Sequence, residues 1–278
     1  MGPTDLRKAA AAGDPAALFE VASRYADGRV VGQDLKQAAN WYSEAAKRGL
    51  PIAAVRLAGL YEHGTGVARD RIAAASWYQK AADAGNIRAM HNLAVLLSEG
   101  VADQPDYVGA AAWFAKAAER GVKDSQYNLG VMYARGLGLS QDLVQAYRWF
   151  ALAAAQGDTD AGSRRDDVAK TLSADQLAQA RLAVQGWQAT KAPEAANAEP
   201  KVKTEWTAPP QRRATTDHVD LVRRVQALLT QQGYDVGPAD GREGPKTRIA
   251  VKALQHKLGT PETGTIDSTL VAALGEAL

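Results

Sequence analysis

The chain of 278 residues contains no cysteine, which excludes disulfides, thiolate nucleophiles and cysteine-based metal sites. Its net charge is only +2, from 33 basic and 31 acidic residues. This balance lacks the concentrated positive field that nucleic-acid binding requires. No apolar run approaches the roughly 18 residues that cross a bilayer. We therefore expect no nucleic-acid partner and no membrane segment in this chain.

Patterns that carry catalysis are also missing from the sequence. The four histidines form no pair at metal-ligand spacing, and there is no nucleophile elbow or phosphate loop. Asp166 and Asp167 are adjacent carboxylates, but neighbouring positions on a helix do not share a face. The sequence therefore predicts a protein that is not an enzyme, with no catalytic residues, no metal site and no cofactor.

A period of 36 residues dominates the first half of the chain. Tryptophan recurs in this register as Trp41, Trp77, Trp113 and Trp149. Aspartate recurs in the same register as Asp34, Asp70, Asp106 and Asp142. A fixed period of this length is typical of stacked helical repeats, which commonly serve as binding surfaces for other proteins.

Residues 49–84 illustrate how each repeat begins. Ala53, Leu57 and Tyr61 recur at helical spacing and predict a first helix, called A. Gly64 ends this helix, because glycine readily adopts the left-handed geometry of a helix C-terminus.

A second helix, called B, completes each repeat. Asp70 begins it, since its carboxylate can accept hydrogen bonds from the free amides of the first turn. Trp77 and Tyr78 then lie with small alanines on the apolar face, which predicts that the aromatic columns fill the seams between units. The repeat units are predicted at residues 13–48, 49–84, 85–120 and 121–156.

These units resemble the Sel1-like repeat, a relative of the tetratricopeptide repeat. The matching residues in the second unit are Ala53, Leu57, Tyr61, Gly64, Gly66, Asp70, Ala74, Trp77, Tyr78, Ala81 and Ala82. The third unit departs from the pattern at Leu97 and over residues 101–105, so its A–B loop is expected to differ in shape. The resemblance covers roughly residues 5–157 and implies an all-α, right-handed α-solenoid.

The resemblance also implies a binding groove lined by the A helices. One outward column of these helices is formed by Glu20, Arg56, Asn92 and Asn128. Asparagine pairs with peptide groups as donor and acceptor, so we predict that this column binds partner proteins. The alternative is that these asparagines are solvated or bond a neighbouring helix.

Both ends of the array are informative. Residues 8–13 are in register with residues 80–85, so the chain opens on a lone B-like helix. This helix is either a natural cap or, as we expect, the start of an exported piece of a larger protein. At the other end, Ser173 and Gln176 form a capping-box pattern, which predicts a final helix over residues 173–187 that covers the last apolar face.

The sequence changes character over residues 188–216, which contain four prolines and few apolar residues. We expect an extended, mobile linker between a solenoid domain at 1–187 and a further domain at 217–278. Trp206 is unusual in such a segment, and either docking on a domain or plain exposure is compatible with the sequence.

Residues 217–278 predict a small three-helix bundle, with a glycine-rich turn between its first two helices. The order of residues resembles the peptidoglycan-binding domain type 1. The matching positions are Val222, Gln226, Leu228, Leu229, Gly233, Tyr234, Gly237, Pro238, Asp240, Gly241, Gly244, Thr247, Ala250, Val251, Leu254, Gln255, Gly264, Ile266 and Asp267. Leu254 departs from the phenylalanine that is usual in this family.

The second resemblance implies contacts with the cell wall. The start of the second helix offers free amides that attract a stem-peptide carboxylate. The candidate peptidoglycan-binding residues are Tyr234, Arg242, Thr247, Arg248 and Gln255. The alternative is that Thr247, Asp240 and the glycines serve turn and cap geometry only.

Together the two resemblances favour a periplasmic scaffold similar to the exported region of bacterial polarity factors of the PodJ type. In this interpretation the repeats bind periplasmic proteins and the C-terminal domain binds peptidoglycan. One alternative is a regulator or recruiter of a peptidoglycan hydrolase or lytic transglycosylase. Another is a wall hydrolase whose catalytic domain lies outside this sequence.

Overall fold

The computed structural model describes residues 3–102, 104–207, 216–267, 270 and 274. The chain divides into two compact units, Met1–Thr207 and Ala208–Leu278, which are described separately below. The fold is all-α, as predicted, and the described residues contain no strand.

The repeat array consists of alternating A and B helices. Helices of type A are α2 (Pro15–Asp27), α4 (Pro51–His63), α6 (Ile87–Glu99), α8 (Lys123–Arg135) and α10 (Thr159–Ala169). Helices of type B are α1 (Thr4–Ala11), α3 (Leu35–Lys47), α5 (Arg71–Asp83), α7 (Tyr107–Ala118) and α9 (Leu143–Ala155). Each helix packs on the next one along the chain, which produces the predicted solenoid of helix pairs.

The predicted helix boundaries are confirmed by cap geometry. The side chain of Asp70 accepts a hydrogen bond from the amide of Ala73, and the aspartates 36 residues before and after it make equivalent bonds. Gly64 ends α4 in the left-handed conformation, with φ 68° and ψ 34°. Gly100 of the third unit instead has φ 93° and ψ 122°, so its loop does differ in shape.

The core of the array combines small alanines with a buried tyrosine or phenylalanine from each of the B helices α3, α5, α7 and α9. Tyr42, Tyr78, Phe114 and Phe150 are all less than 5% exposed. The tryptophan that precedes each of them is less uniformly buried, since Trp41 and Trp77 remain partly exposed. A lysine ammonium lies 4.0 Å from the ring centroid of Trp77 and another lies 3.6 Å from that of Trp113. The tyrosine–phenylalanine column is therefore buried in all four units, whereas the tryptophan column is buried only at Trp113 and Trp149.

The C-terminal end of the array is closed as the capping-box pattern predicts. Helix α11 spans Ala174–Gln185 and packs on α9. Ser173 accepts from the backbone of Gln176, and the Gln176 side chain accepts from the backbone of Ser173. Ala180 is fully buried, so this helix covers an apolar face that would otherwise end the stack in water.

Residues 188–207, hereafter the strap, correct the expectation of an extended, mobile linker. They include two short helical turns, α12 (Glu194–Asn197) and α13 (Thr204–Thr207), which pack on α4 and α1. Trp206 is 2% exposed and belongs to the core cluster of the first repeat. The strap docks because this indole and several polar side chains find partners far away along the chain. The rest of the predicted linker, residues 208–215, lies outside the described residues, so the domain division there stays a prediction.

The C-terminal unit contains α14 (Thr216–Gln231) and α15 (Pro245–Leu258), joined by a long loop. Its core includes Val222, Leu229, Val251 and Leu254. The third helix, predicted for roughly residues 268–278, lies mostly outside the described residues. Within that stretch, Leu270 is helical and fully buried in the same core.

Candidate functional site

The A helices of the first three units enclose a cavity of about 440 Å³. Arg56 and Asn92, two members of the predicted groove column, line it together with Tyr42 and Tyr78. Glu199 of the strap lies at the same cavity. The cavity therefore combines aromatic hydroxyls, an amide and cations within one concave site on the A-helix side.

A hydrogen-bond network fixes the polar groups of this cavity. The hydroxyl of Tyr78 donates to Glu62 Oε2 over 2.8 Å. Burial raises the pKa of Tyr78 above its ordinary value of 10, and the neighbouring Glu62 carboxylate raises it further. Tyr78 therefore stays protonated. Nearby, the Ser23 and Tyr42 hydroxyls lie 3.2 Å apart.

The predicted column of four groove residues does not form one uniform surface. Glu20 is only 7% exposed and forms a buried ion pair with Arg24 over 2.7 Å. Arg56 is exposed and pairs with Glu199, whereas Asn92 and Asn128 are half-buried. Partner binding at this column stays a prediction, and in this structure Glu20 is buried together with its partner Arg24.

The strap is anchored at the first repeat by its single tryptophan. Trp206 packs into the cluster that contains Leu6 of α1 and Phe19 of α2. The guanidinium of Arg24 donates to the carbonyl of Trp206 over 2.7 Å. Lys203 adds an ion pair with Asp14 over 3.3 Å. The Trp206 indole is thus buried, and the carbonyl of the same residue accepts a hydrogen bond.

A second set of anchors lies where α5 turns into α6. The Asn86 side chain donates to the carbonyl of Ala196 over 2.5 Å. Asn197 accepts from the amide of Ile87 over 2.8 Å and donates to the carbonyl of Gly85 over 3.1 Å. The strap therefore satisfies backbone groups at the start of an A helix, which would otherwise need solvent or a ligand.

In the C-terminal unit, a buried glutamine organises the loop between α14 and α15. Gln226 is 1% exposed and accepts from the amide of Gly241 over 2.9 Å. It donates to the carbonyl of Arg242 over 3.0 Å and to the hydroxyl of Thr247 over 3.2 Å. Thr247 is itself 1% exposed, so it could act on a ligand only by holding this loop.

A second buried glutamine plays the same part for the loop that follows α15. Gln255 accepts from the amide of Gly264 over 2.8 Å and donates to Thr263 and to the carbonyl of Thr265. Its 1% exposure separates it from solvent. Each glutamine directly follows a buried valine or leucine in the sequence. A polar residue at such a position could have been recognised from the sequence as one that holds a loop rather than a ligand.

The other predicted wall-binding residues lie at the surface. Arg242 and Arg248 are exposed, whereas Tyr234 is half-buried and lines a cavity of about 280 Å³ with Lys246 and Ile249. Ile249 is 70% exposed, so this cavity combines an aromatic ring with an accessible apolar side chain. The structure thus separates the five predicted residues into surface groups and buried loop clamps.

One carboxylate also lines this cavity. Lys246 lies 2.7 Å from Asp235 and, by donating a hydrogen bond, holds the pKa of that carboxyl below its ordinary value of 3.8. The amide of Gly237 lowers it further. Asp235 is therefore ionised in neutral solution, and Lys246 is engaged with it rather than offered to a ligand.

Within the described part of the chain, no cluster of three or more metal-ligating side chains is found. The same residues include no helix with the length and apolar character needed to cross a membrane. The chemistry of the sites described above is that of hydrogen bonding, ion pairing and aromatic packing.

The sequence of the array matches a known family of repeats. The Sel1 repeat matches residues 15–50, 51–86, 87–122 and 123–158, which together span just over half of the chain. The chain therefore belongs to the Sel1 repeat family. Residues 218–274 match a second family, described as "Putative peptidoglycan binding domain". Both resemblances that were read from the sequence are thus confirmed, and both families are binding modules rather than catalytic domains.

The curated relatives match only short parts of the chain. Localization factor PodJL of Caulobacter vibrioides is 43% identical over 44 residues, which are 16% of this chain and 4% of that protein. The "Putative OxPP cycle protein OpcA" of Synechocystis is 43% identical over 54 residues, which are 19% of this chain and 11% of that protein. The chain thus spans about a tenth or less of the length of these relatives.

A solved structure supports the fold of the array. The Sel1 repeat protein from Oxalobacter formigenes matches with a TM-score of 0.52 and 29% sequence identity. The match covers 62% of this chain and 71% of that one.

Proposed function

We propose that this protein is a non-enzymatic scaffold of the bacterial periplasm, which joins partner proteins to the cell wall and belongs to a polarity factor. The main support is the combination of a protein-binding array with a peptidoglycan-binding type of unit in one chain. The partial match to a localization factor favours the polar role. In this proposal the array recruits the partner, and the C-terminal unit raises the local concentration of that partner at the wall.

In this proposal the wall contact is made by Tyr234, Arg242 and Arg248. A peptidoglycan stem peptide carries carboxylates, and guanidinium groups bind carboxylates in a bidentate manner. Thr247 and Gln255 contribute by fixing the loops on either side of α15.

Sedimentation with purified sacculi tests the wall-binding part of the proposal. We expect the full chain to co-sediment, and Arg242→Ala with Arg248→Ala to lower its affinity about fivefold through lost charge-assisted hydrogen bonds. The matched control is Arg224→Ala with Lys257→Ala, which changes two exposed cations on other parts of α14 and α15 and should retain binding. Failure of the unsubstituted chain to sediment, or equal loss in both double variants, would contradict specific wall binding.

Photo-crosslinking in living cells tests the protein-binding part. A crosslinking residue in place of Asn92 or Asn128 is expected to capture a periplasmic protein. The control position is Ile72, which is 64% exposed at the start of α5. Equal capture from all three positions would reject the groove. If the captured protein is a wall hydrolase whose activity changes when the chain is added, the regulator hypothesis replaces the scaffold.

An exported fluorescent fusion of the chain tests the polar role separately. The proposal expects foci at the cell poles that depend on the captured partner. Uniform fluorescence around the envelope would reject the polarity assignment without affecting wall binding.

A further inference from the structure

The strap follows an ordered path along the array. Its successive residues contact array residues in descending order, from the third repeat back to the first. The amide of Thr190 donates to the carbonyl of Glu119, and Ala196 then accepts from Asn86. Glu199 next pairs with Arg56, and Trp206 is buried against α1 and α2. This path visits three consecutive repeats, mainly along the turns that lead from a B helix to the next A helix, and it also contacts α4 through Arg56.

The contacts of the strap are those of a bound peptide. Its side chains provide one deep aromatic anchor at Trp206, one carboxylate at Glu199 and one amide at Asn197. On the array, the strap contacts the guanidinium groups of Arg24 and Arg56 and the side-chain amide of Asn86. The carbonyls of Ala196 and Trp206, which lie in the short turns α12 and α13, accept two of these hydrogen bonds, and the segment between the two turns is irregular.

Two of these contacts are weak individually. The Arg56–Glu199 pair is about half exposed on both sides, and Lys203 is 50% exposed in its pair with Asp14. Exposed ion pairs of this kind contribute little net stability. Trp206 is the one large side chain of the strap that is fully buried. A segment held by a single deep side chain, a few hydrogen bonds and two exposed ion pairs can be displaced by a ligand that supplies the same groups.

We propose that the strap occupies a peptide-binding surface of the array and that a partner protein displaces it with a segment of the same chemistry. The partner segment carries a tryptophan that enters the pocket between α1 and α2. It also carries a carboxylate seven positions before the tryptophan, which reaches Arg56, as Glu199 does relative to Trp206. This inference rests on the proposed protein-binding role of the repeats and specifies the ligand that the array selects.

Tethering gives the strap an advantage over any free ligand. A short intramolecular connection corresponds to an effective concentration on the order of millimolar. A free peptide must compete with that value, so the closed chain binds it weakly even if its intrinsic affinity is much higher. If the tryptophan is removed, the strap should detach from the array. A free peptide with the strap sequence should then bind the exposed surface with an affinity that can be measured.

The test uses a fluorescein-labelled peptide of residues 192–207 and the full chain. Fluorescence anisotropy is measured with the unsubstituted chain, with Trp206→Ala and with Val202→Ala, whose side chain is 45% exposed on the same strap. We expect Trp206→Ala to bind the peptide at least about tenfold more tightly than the other two chains. Addition of Arg56→Ala to Trp206→Ala should weaken this binding again by about threefold or more.

A second variant protects the test against misfolding of Trp206→Ala. Glu199→Ala with Lys203→Ala changes only exposed side chains, so the array should keep its helical circular dichroism while the strap loosens. Tighter peptide binding to this variant than to the unsubstituted chain supports the inference. Peptide binding to none of the strap variants while their circular dichroism is unchanged would overturn it, as would binding that Arg56→Ala does not reduce. Neither result affects sacculus sedimentation or crosslinking at Asn128, so the proposed function is tested separately.

Discussion

The array and the C-terminal unit hold their loops in place by different means. In the array, a capping aspartate and a left-handed glycine recur in nearly every repeat, so the same local geometry is specified many times. In the C-terminal unit, each of two loops depends on a single buried glutamine, Gln226 or Gln255. Repetition makes damage in the array local, whereas damage to one clamp in the small unit affects its whole core.

The candidate binding surfaces differ in a second respect. In the array, the strap of the same chain covers turns between B and A helices from Glu119 back to Asp14 and pairs with Arg56 of α4. The arginines of the C-terminal unit, Arg242 and Arg248, are exposed. In the proposal, a wall ligand therefore meets exposed arginines, whereas a protein partner competes with the strap.

The largest effect is expected from Gln226→Ala in the C-terminal unit. The substitution leaves the buried amide of Gly241 without a partner and removes the donors to Arg242 and Thr247, which should cost about 3 kcal/mol. A unit of this size has little more stability than that. Calorimetry of the full chain should show loss of one transition while the transition of the array remains.

Gln232→Ala is the matched control for this prediction, since Gln232 is exposed just beyond α14. It should leave both transitions unchanged. If Gln226→Ala keeps both transitions, the C-terminal unit does not depend on this single glutamine. The proposed difference from the array, where caps recur in each repeat, would then be wrong.

A smaller effect is expected from Gly66→Ala in the array. At Gly66 φ is +76°, and an added Cβ would lie within 2.6 Å of both the backbone and the side chain of Leu35. Gly49→Ala is the control, because its φ is +82° but no atom lies within 4 Å of the new Cβ. Both variants place alanine in the left-handed conformation, so this strain cancels in the comparison. Because of its clash with Leu35, Gly66→Ala should have a free energy of unfolding about 2 kcal/mol lower than Gly49→Ala in denaturant titrations. Equal stability of the two variants would show that the loop around Gly66 moves to accommodate the methyl group without cost.

The end cap should contribute less than an internal contact. Ser173→Ala removes the side chain that accepts from the amide of Gln176, which should cost about 1 kcal/mol. Hydrogen exchange should then increase in α11 while α2 to α7 are unchanged. Faster exchange across all repeats would show that the array unfolds as one cooperative block rather than from its end.

The smallest effect is a dependence of strap attachment on pH. Burial raises the pKa of Asp14, but hydrogen bonds from the amides of Ala17 and Ala16 and from Lys203 outweigh it and lower the pKa below 3.8. A lowered folded pKa means that the stabilisation is complete above the unfolded value and is lost as pH falls through the folded value. The indole resonance of Trp206 should therefore move toward its unfolded position below about pH 4.

Asp14→Asn is the control for the pH effect. Asparagine also caps helices well, so α2 should form as before. The substitution removes the titrating group beside Lys203, and the part of the shift that arises from Asp14 should disappear. An unchanged titration in this variant would assign the effect to another carboxylate.

Most of the fold was predictable because it is specified locally and repeatedly. Gly64 and Asp70 predicted the helix boundaries within one unit, and the recurrence of Trp77 every 36 residues predicted the stacking of units. The strap was not predictable in this way. Its docking depends on Asn86 and Arg24, which are more than 100 positions away in sequence, and its proline-rich composition indicated mobility. Trp206 was the single local signal that the segment has a partner.

The candidate sites were predictable only in part. Glu20 was placed on an exposed column, but the residue four positions later is Arg24, and the two form a buried pair. That spacing was visible in the sequence, since residues four apart lie together on a helix. The burial of Thr247 and Gln255 depends instead on how two loops fold back on α14 and α15, which no local pattern specifies.

Hydrogen exchange of the strap tests the central claim most directly, namely that the array is closed by its own segment while the wall-binding loop is open. The claim predicts that amides of residues 190–206, including Thr190, exchange far more slowly than an unstructured peptide, and that Trp206→Ala abolishes this protection. It also predicts that the amides of Glu243 and Lys246 exchange quickly in both chains. Exchange of the strap at the unstructured rate in the unsubstituted chain would contradict the account.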